Sequence, residues 1–310
     1  TSTSGRRQMP ILSPADLQFF EDNGYVVARG VITGDKLDAL RRETARIVAQ
    51  AAGVKAHNDI YDLEDSHSAS NPRVRRLKEP YRHFEFFNKL ARDPDVLDLV
   101  EQLIGSDIRL YGGKMNLKSA GYGAPVEWHQ DWAFYPHTND DVLATGLLLD
   151  DCDEKNGPLM VVPSSHKGPT YDHHADGYFC GAMSPNDEEA ARNLDYSKAV
   201  KLTGKAGDMT IHHVRLVHGS VRNQSNRQRR LLLHEYTAGD AWPLVGLKGE
   251  FEQCFYDLLV RGTPTTQPRT VPTPIRLPYP AAKKGGSIYE NQKGSEQRFF
   301  ETFEDARKAS

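Results

Sequence analysis

The sequence predicts a mainly β protein with flanking helices, its core an antiparallel barrel or two-sheet jelly roll. Three observations carry that expectation. From residue 108 onward, short β-branched and aromatic runs alternate with Gly, Asn, Pro and Ser turn signals at spacings that suit antiparallel strands. Helical periodicity is confined to the part of the chain before Gly105. No GxGxxG or GxxxxGK[ST] run occurs, so a βαβ nucleotide-binding fold finds no support.

Each element follows from local chemistry. Ser13-Pro14 reads as an N-cap with Pro in the first turn, opening a short helix that ends near Gly24. Tyr25 to Arg29 is β-branched and aromatic, hence a strand. Thr33 is expected to cap a longer helix over 35–52, with Leu37, Leu40, Thr44, Ile47 and Val48 on one face. Residues 53–80 are polar and turn-rich, an excursion over the site, and 84–91 and 93–104 return to helical spacing. Strands are expected at 108–118, 126–135, 142–150, 158–163, 198–202, 208–217 and 228–237. Turns at Asn156-Gly157-Pro158, Ser164-Ser165, 204–207 and 223–226 separate several of them. Six prolines in 262–280 and a Lys/Gly/Ser/Gln-rich stretch over 281–297 cannot make a core of their own, so this tail is expected to wrap the barrel or cover it as a lid. One domain thus spans 1–310, with helical support over 13–105, the jelly roll over 108–237 and the tail over 240–310.

Bulk properties narrow the function. At 310 residues and 38% hydrophobic, the chain can bury a sizeable core. No apolar run is long enough to span a bilayer, and the polar opening with Arg6 and Arg7 lacks the apolar stretch of a secretory signal. A net charge of −3 argues against nucleic acid as a partner. Cys152, Cys180 and Cys254 are odd in number and widely spaced, which fits a reducing compartment, and a cytoplasmic location is expected. A homodimer is compatible with these properties.

The chemistry gathers around Trp128-His129-Gln130-Asp131-Trp132. In an extended strand, positions 129 and 131 face the same way, so an imidazole and a carboxylate can share one ion. Such a pair is half of a two-His-one-carboxylate face suited to Fe(II), and a distant His must complete it. Residues 208–218 offer His212, His213 and His218. His218 is followed by Gly219-Ser220, and Arg229 lies eleven residues further on. A strand carrying His218 that turns through Gly219 and Asn223 would bring Arg229 back beside the metal, where a guanidinium and the Ser220 hydroxyl suit a carboxylate. The ligand implied is a small dicarboxylate.

These residues resemble the phytanoyl-CoA dioxygenase (PhyH) family of Fe(II)/2-oxoglutarate-dependent oxygenases. The resemblance covers roughly residues 13–237. It rests on Phe-Phe-Glu-Asp-Asn-Gly-Tyr-Val-Val, Trp-His-Gln-Asp, Asn-Gly-Pro-Leu-Met-Val-Val-Pro-Ser-Ser-His, and His-Gly-Ser with its downstream Arg. It implies a double-stranded β-helix, or cupin-like, core, with His129, Asp131 and His218 as iron ligands. Arg229 and Ser220 are then expected on the far carboxylate of 2-oxoglutarate, while His212 and His213 match no ligand position. Lys-Met-Asn-Leu-Lys is similar to a stretch that places an Asn against the co-substrate in related ectoine hydroxylases. Asn116 and Lys114 are therefore further co-substrate candidates, sharing a strand face with Lys118. Some members carry a Trp beside the co-substrate where this chain has Gly146. Related halogenases have Ala or Gly in place of Asp131, so the carboxylate implies hydroxylation or desaturation and not halogenation.

The implied activity is an Fe(II)- and 2-oxoglutarate-dependent dioxygenase that consumes O2, hydroxylates an unactivated C–H bond and releases succinate and CO2. Aromatic residues Trp132, Phe134, Tyr135, Tyr178 and Phe179 lie near the expected mouth, as do His137, Arg76 and Arg82. The polar segments 55–82, 167–197 and 240–297 point to a small polar or anionic substrate, such as a free or N-substituted amino acid or a natural-product intermediate. Three alternatives stay open from residues alone: desaturation on the same iron site, a cupin-like metalloenzyme that uses no 2-oxoglutarate, and a binding protein with vestigial ligands. His166, His173, His174 and the Asp150, Asp151, Asp153 group are expected to bond locally, without a second metal.

Overall fold

A computed structural model describes residues 12–282, 288–292 and 298–300. The polar opening, and most of the Lys/Gly/Ser/Gln-rich stretch, lie outside the described residues. In chain order the strands are β1 (Tyr25–Ala28), β2 (Tyr61–Leu63), β3 (Val74–Lys78), β4 (Ile108–Lys118), β5 (Val126–His129), β6 (Val142–Leu148), β7 (Leu159–Val161), β8 (His174–Ala175), β9 (Tyr178–Phe179), β10 (Val200–Leu202), β11 (Met209–His213), β12 (His218–Ser220), β13 (Arg229–Ala238) and β14 (Leu259–Arg261). The helices are α1 (Pro14–Asn23), α2 (Asp35–Gln50), α3 (Pro80–His83), α4 (Glu85–Leu90), α5 (Pro94–Ile104), α6 (Glu188–Asn193) and α7 (Ile288–Gln292).

A large antiparallel sheet runs β1-β11-β6-β13-β4-β3-β2, with β14 also paired to β4, and a smaller sheet runs β10-β7-β12-β5. This is the jelly roll expected. Alternation of side chains across each strand sorts the two faces of the large sheet. Met115, Leu117, Leu147, Met209, Ile211 and Leu232 turn outward and join one core with Leu37, Leu40 and Ile47 of α2 and Val96, Leu97 and Val100 of α5. The opposite face carries Lys114, Asn116, His212, Arg229, Leu231, Leu233 and Glu235 toward the barrel interior. A sheet with so many polar groups on its inner face is built around something other than hydrocarbon.

Local chemistry explains the helix ends, with one correction. Ser13 caps α1, its hydroxyl accepting from Asp16 N while the Asp16 carboxylate accepts from the Ser13 amide, a reciprocal capping box. Gly24 closes α1 at φ +79°, and a Cβ there would meet His166 Nδ1 at 2.5 Å, so both backbone and space require glycine. Thr33, expected to cap α2, does not: the capping position is Gly34 at φ 57°, with no side-chain cap bond. There the turn needs a left-handed residue more than it needs a hydroxyl.

Three other expectations change. The strand over 126–135 ends at His129, and Asp131–Ala133 form a 3-10 turn. The chain leaves the ladder because Trp132 N donates to Val214 O at 2.9 Å, and because the Gln130 amide bonds Arg215 O, Pro169 O and Tyr171 N. The strand over 208–217 likewise stops at His213, where a turn intervenes before β12. The excursion over 53–80 is not wholly loop, since β2 and β3 in it extend the large sheet beyond β4.

Candidate active site

Two strands and one turn bring the metal-ligand side chains together. β5 and β12 are antiparallel neighbours with His129 directly opposite His218, and their ring centroids lie 4.1 Å apart. Asp131, first in the 3-10 turn, places Oδ1 3.8 Å from His129 Nε2 and 3.9 Å from His218 Nε2. One ligand atom from each residue lies within 4.8 Å of the others, and all three are buried. The pair thus converges as expected, although by a strand end and a turn rather than along a continuous strand.

The surroundings fix these groups in the forms a metal needs. His129 Nδ1 donates to Glu127 O at 2.8 Å and His218 Nδ1 to Leu216 O at 2.9 Å, which leaves both Nε2 lone pairs facing Asp131. Burial lowers the His129 pKa to about 4 and that of His218 well below its ordinary value, so both rings are neutral. Burial alone would raise the Asp131 carboxyl, but His218, His212 and Lys114 outweigh it and hold the group well below the usual carboxylate range. Two neutral imidazoles and one carboxylate in a buried site fit Fe(II) with open positions.

His212 was expected to be a strand residue without a ligand role. It is on β11, but its inward parity sets Nε2 3.4 Å from Asp131 Oδ2. It therefore supports the carboxylate oxygen that faces away from the two histidines. His213 turns the other way, and its Nδ1 accepts from Arg215 N. Tyr135 was grouped only with possible substrate contacts, yet it is buried beside Asp131, and burial together with that carboxylate's charge holds its hydroxyl pKa well above the ordinary value. The period-two alternation of β11 could have flagged His212, but nothing in the sequence relates Tyr135 to Asp131, because the 3-10 turn decides it.

Behind the triad lies an inner chamber of about 60 Å³, narrow enough for a slender chain. Arg229, Ser220, Asn116 and Lys114 all border it, as expected for the co-substrate candidates. Arg229 Nε and Nη2 donate to Gly157 O at 3.1 and 2.6 Å, leaving the buried Nη1 without a partner. Asn116 Oδ1 is also buried and unpartnered. Lys118, read from sequence only as sharing a face with the candidates, donates from Nζ to Ser220 Oγ at 2.8 Å and to Val221 O, and is 2% exposed. Burial, reinforced by Arg229, holds its pKa well below that of an ordinary lysine. Among the described residues neither Lys118 nor Arg229 has a carboxylate at ion-pair distance, so the chamber has Arg229 on its wall, Lys118 behind Ser220, and an open place for an anion.

In front of the triad an outer cavity of about 770 Å³ opens toward the surface. Its wall carries Arg76, Lys78, Arg82, Lys114 and Lys248, along with Phe134 and Tyr135. Arg76 and Lys78 share Asp62 at 2.5 and 3.2 Å, while Lys114 and Lys248 share Glu235 at 3.3 and 3.7 Å. Arg82 in turn pairs with Glu79 at 3.3 Å, and Asp59 and Asp131 lie on the same wall, so basic and acidic side chains are close to balanced there. Of the other candidates, Trp132 is core and donates to Pro274 O, Phe179 packs behind Phe134 at 5.0 Å, and Tyr178 is exposed. His137 Nδ1 donates to Tyr135 O, and the ring borders a separate small pocket with Arg109 and Trp242.

The remaining candidates bond locally. His166 Nε2 donates to Glu21 O, while His173 Nε2 accepts from Gln130 N. Asp150, Asp151 and Asp153 pair with Arg230, Lys205 and Arg227. The cysteines are free. Burial lowers His137, His173 and His234 from 6.5 to about 4. Between those values the unfolded chain binds protons that the folded chain refuses, so stability is full above pH 6.5 and is lost as pH falls toward 4. Thermal melts of metal-free protein should lose on the order of several kcal/mol across that window. A flat profile would show that these rings are not buried as neutral groups.

The comparisons with known proteins follow this geometry. The phytanoyl-CoA dioxygenase (PhyH) family model matches residues 20–231, spanning both histidines, Asp131 and Arg229. The chain belongs to the PhyH family. It is 39% identical over 283 residues to a probable alpha-ketoglutarate-dependent hypophosphite dioxygenase of Stutzerimonas stutzeri, covering 90% of this chain and 96% of that protein. It is 33% identical over 192 residues to an L-proline trans-4-hydroxylase of Streptomyces griseoviridis, covering 56% and 69%. Among solved structures, EctD from S. alaskensis with 2-oxoglutarate and 5-hydroxyectoine matches with a TM-score of 0.61 at 23% identity, over 85% of this chain and 88% of that one. The PhyH-family chain is accordingly an Fe(II)/2-oxoglutarate-dependent dioxygenase with a double-stranded β-helix core. No helix among the described residues is long and apolar enough to cross a membrane.

Proposed function

We propose that this PhyH-family enzyme hydroxylates a small organic anion or zwitterion, such as a free or N-substituted amino acid, and releases succinate and CO2. The buried convergence of His129, Asp131 and His218 between two cavities carries the reading. In it these three residues hold Fe(II), Arg229 and Ser220 take the far carboxylate of 2-oxoglutarate in the inner chamber, and Lys118 orients the Ser220 hydroxyl from behind. Asn116 and Lys114 border the same co-substrate. Bound Fe(II) and 2-oxoglutarate together supply, with O2, the oxidising power for C–H hydroxylation. The chain's own work is positioning: His212 fixes the Asp131 carboxylate, Tyr135 packs beside it, and buried walls keep water from the reacting centre.

The substrate class rests on the outer cavity. Its wall sets Arg76, Lys78, Arg82, Lys114 and Lys248 among Asp59, Glu79, Asp131 and Glu235, a strongly polar lining suited to an anionic or zwitterionic ligand. Its volume of about 770 Å³ is that of a small-molecule pocket. A second reading, a phosphorus oxyanion such as hypophosphite, is favoured by the 39% identical relative; the cavity is large for so small an ion. Succinate release should be measured over amino acids, N-acyl amino acids, organic phosphonates, hypophosphite and fatty acyl-CoA. Stimulation by a small organic anion at least about tenfold above the substrate-free rate is expected, since productive alignment of the substrate speeds the coupled reaction. Activity with fatty acyl-CoA alone would overturn the substrate class, and no succinate under any condition would overturn the reaction.

A further inference from the structure

We infer that Tyr289 and the short helix α7 form a wall of the co-substrate chamber, so that the C-terminal tail takes part in holding 2-oxoglutarate. The inference rests on the co-substrate assignment proposed above, and it concerns residues beyond the family match, which ends at residue 231. Ile288 and Tyr289 border the inner chamber together with Arg229, Ser220 and Asn116, and Ile288 also borders the outer cavity. Tyr289 is 3% exposed, although it belongs to a segment too polar to make a core. Its ring lies 4.8 Å from the Arg75 guanidinium, a cation–π contact. Arg75, itself buried on β3, bonds Glu290 at 2.5 Å. One arginine thus fixes both the ring and the residue after it.

A second fastening lies further along the tail. The amides of Phe299 and Phe300 donate to the Glu127 carboxylate on β5 at 2.8 and 3.3 Å. The Phe300 ring packs on Trp128 at 5.4 Å and the Phe299 ring on Tyr196 at 5.0 Å. A Cβ on Gly219 would meet Phe300 Cε2 at 3.2 Å, so the tail lies closely over β12 as well. The tail is therefore fastened to the two strands that carry His129 and His218, and to the strand behind Lys114 and Asn116. The chamber it covers is lined by Arg229, whose attraction for a carboxylate is strong only where water is kept out. Tyr289 acts as a positioning residue: its ring excludes water and keeps the guanidinium cluster in place.

The test is anaerobic calorimetry of 2-oxoglutarate binding to the Fe(II)-loaded protein. Tyr289→Ala is expected to weaken 2-oxoglutarate about tenfold, the scale of a desolvated cation–π contact with its packing, while iron affinity and Tm stay near wild type. Tyr289→Phe keeps the ring and is expected to bind within about twofold of wild type, since the wall needs the ring and not the hydroxyl. Wild-type affinity in Tyr289→Ala would overturn the inference, and so would Tyr289→Phe as weak as the alanine variant. Should Tyr289→Ala lose iron or melt early, Glu290→Gln carries the test. Weaker 2-oxoglutarate with unchanged iron then supports the wall, and unchanged 2-oxoglutarate overturns it. Failure of the wild-type protein to bind 2-oxoglutarate at all would instead sink the co-substrate assignment itself.

Discussion

Asp131→Ala is expected to lower Fe(II) affinity and succinate formation by roughly a thousandfold or more, since it removes the one anionic donor from a ligand set that acts as a unit. The substitution leaves two neutral imidazoles and an unpaired His212 Nε2 in a buried site. It also removes a carboxylate whose surroundings favour its charge by more than burial opposes it, so stability is lost with it. The metal-free variant should therefore melt below wild type yet cooperatively, while the rise in Tm that Fe(II) gives the wild type should disappear. Metal content by elemental analysis, paired with melts taken with and without Fe(II), separates this outcome from simple misfolding. A variant that retains iron and turnover would show that the carboxylate is not a ligand.

Arg229→Met should raise the KM for 2-oxoglutarate about a hundredfold or more, in line with the 2–5 kcal/mol that a buried, hydrogen-bonded charge pair loses on truncation of one partner. Iron content should not change, because Arg229 touches no proposed ligand. Its Nε and Nη2 are tied to Gly157 O, so the free Nη1 is the donor held ready for a carboxylate. Lys118→Met should also weaken 2-oxoglutarate, yet it should stabilise the empty protein, since it removes one of two neighbouring buried cations. Opposite signs in stability and co-substrate affinity would be hard to obtain from a residue with only a packing role. If 2-oxoglutarate bound both variants as it binds wild type, the inner chamber would have to be reassigned.

Much of this site could be read from the chain, and the unread parts share a cause. His129, Asp131, His218, Ser220 and Arg229 were legible because each sits at a fixed offset from a turn signal or a ligand partner. Asn116 and Lys114 came from the resemblance of Lys-Met-Asn-Leu-Lys to the ectoine hydroxylase stretch, with strand parity setting them on one face. Lys118 has the same parity, but its burial against Ser220 comes from the pairing of β4 with β13, a long-range fact with no local mark. Tyr135 and Tyr289 depend on a 3-10 turn and on a tail packing back over the barrel, and neither leaves a periodic trace. Helices α1, α2, α4 and α5 and most strands of the two sheets were legible from periodicity, while the short α3, α6, α7, β8, β9 and β14 left no periodic run to read. β2 and β3 were not, because Arg75, Arg76 and Lys78 make the run look solvated. Their charges are instead used at the rim of the cavity and beneath α7.

The facing of His129 and His218 across the β5–β12 ladder also bears on how the site comes into being. Side chains on a strand alternate faces, so a slip of one residue between these strands would swing one imidazole to the far side. No partial or displaced version of the site can then bind the ion through both histidines. Metal uptake consequently reports on strand register. A chain that retains iron through purification has passed a proof-reading step on its own smaller sheet, and a mispaired chain identifies itself by arriving empty.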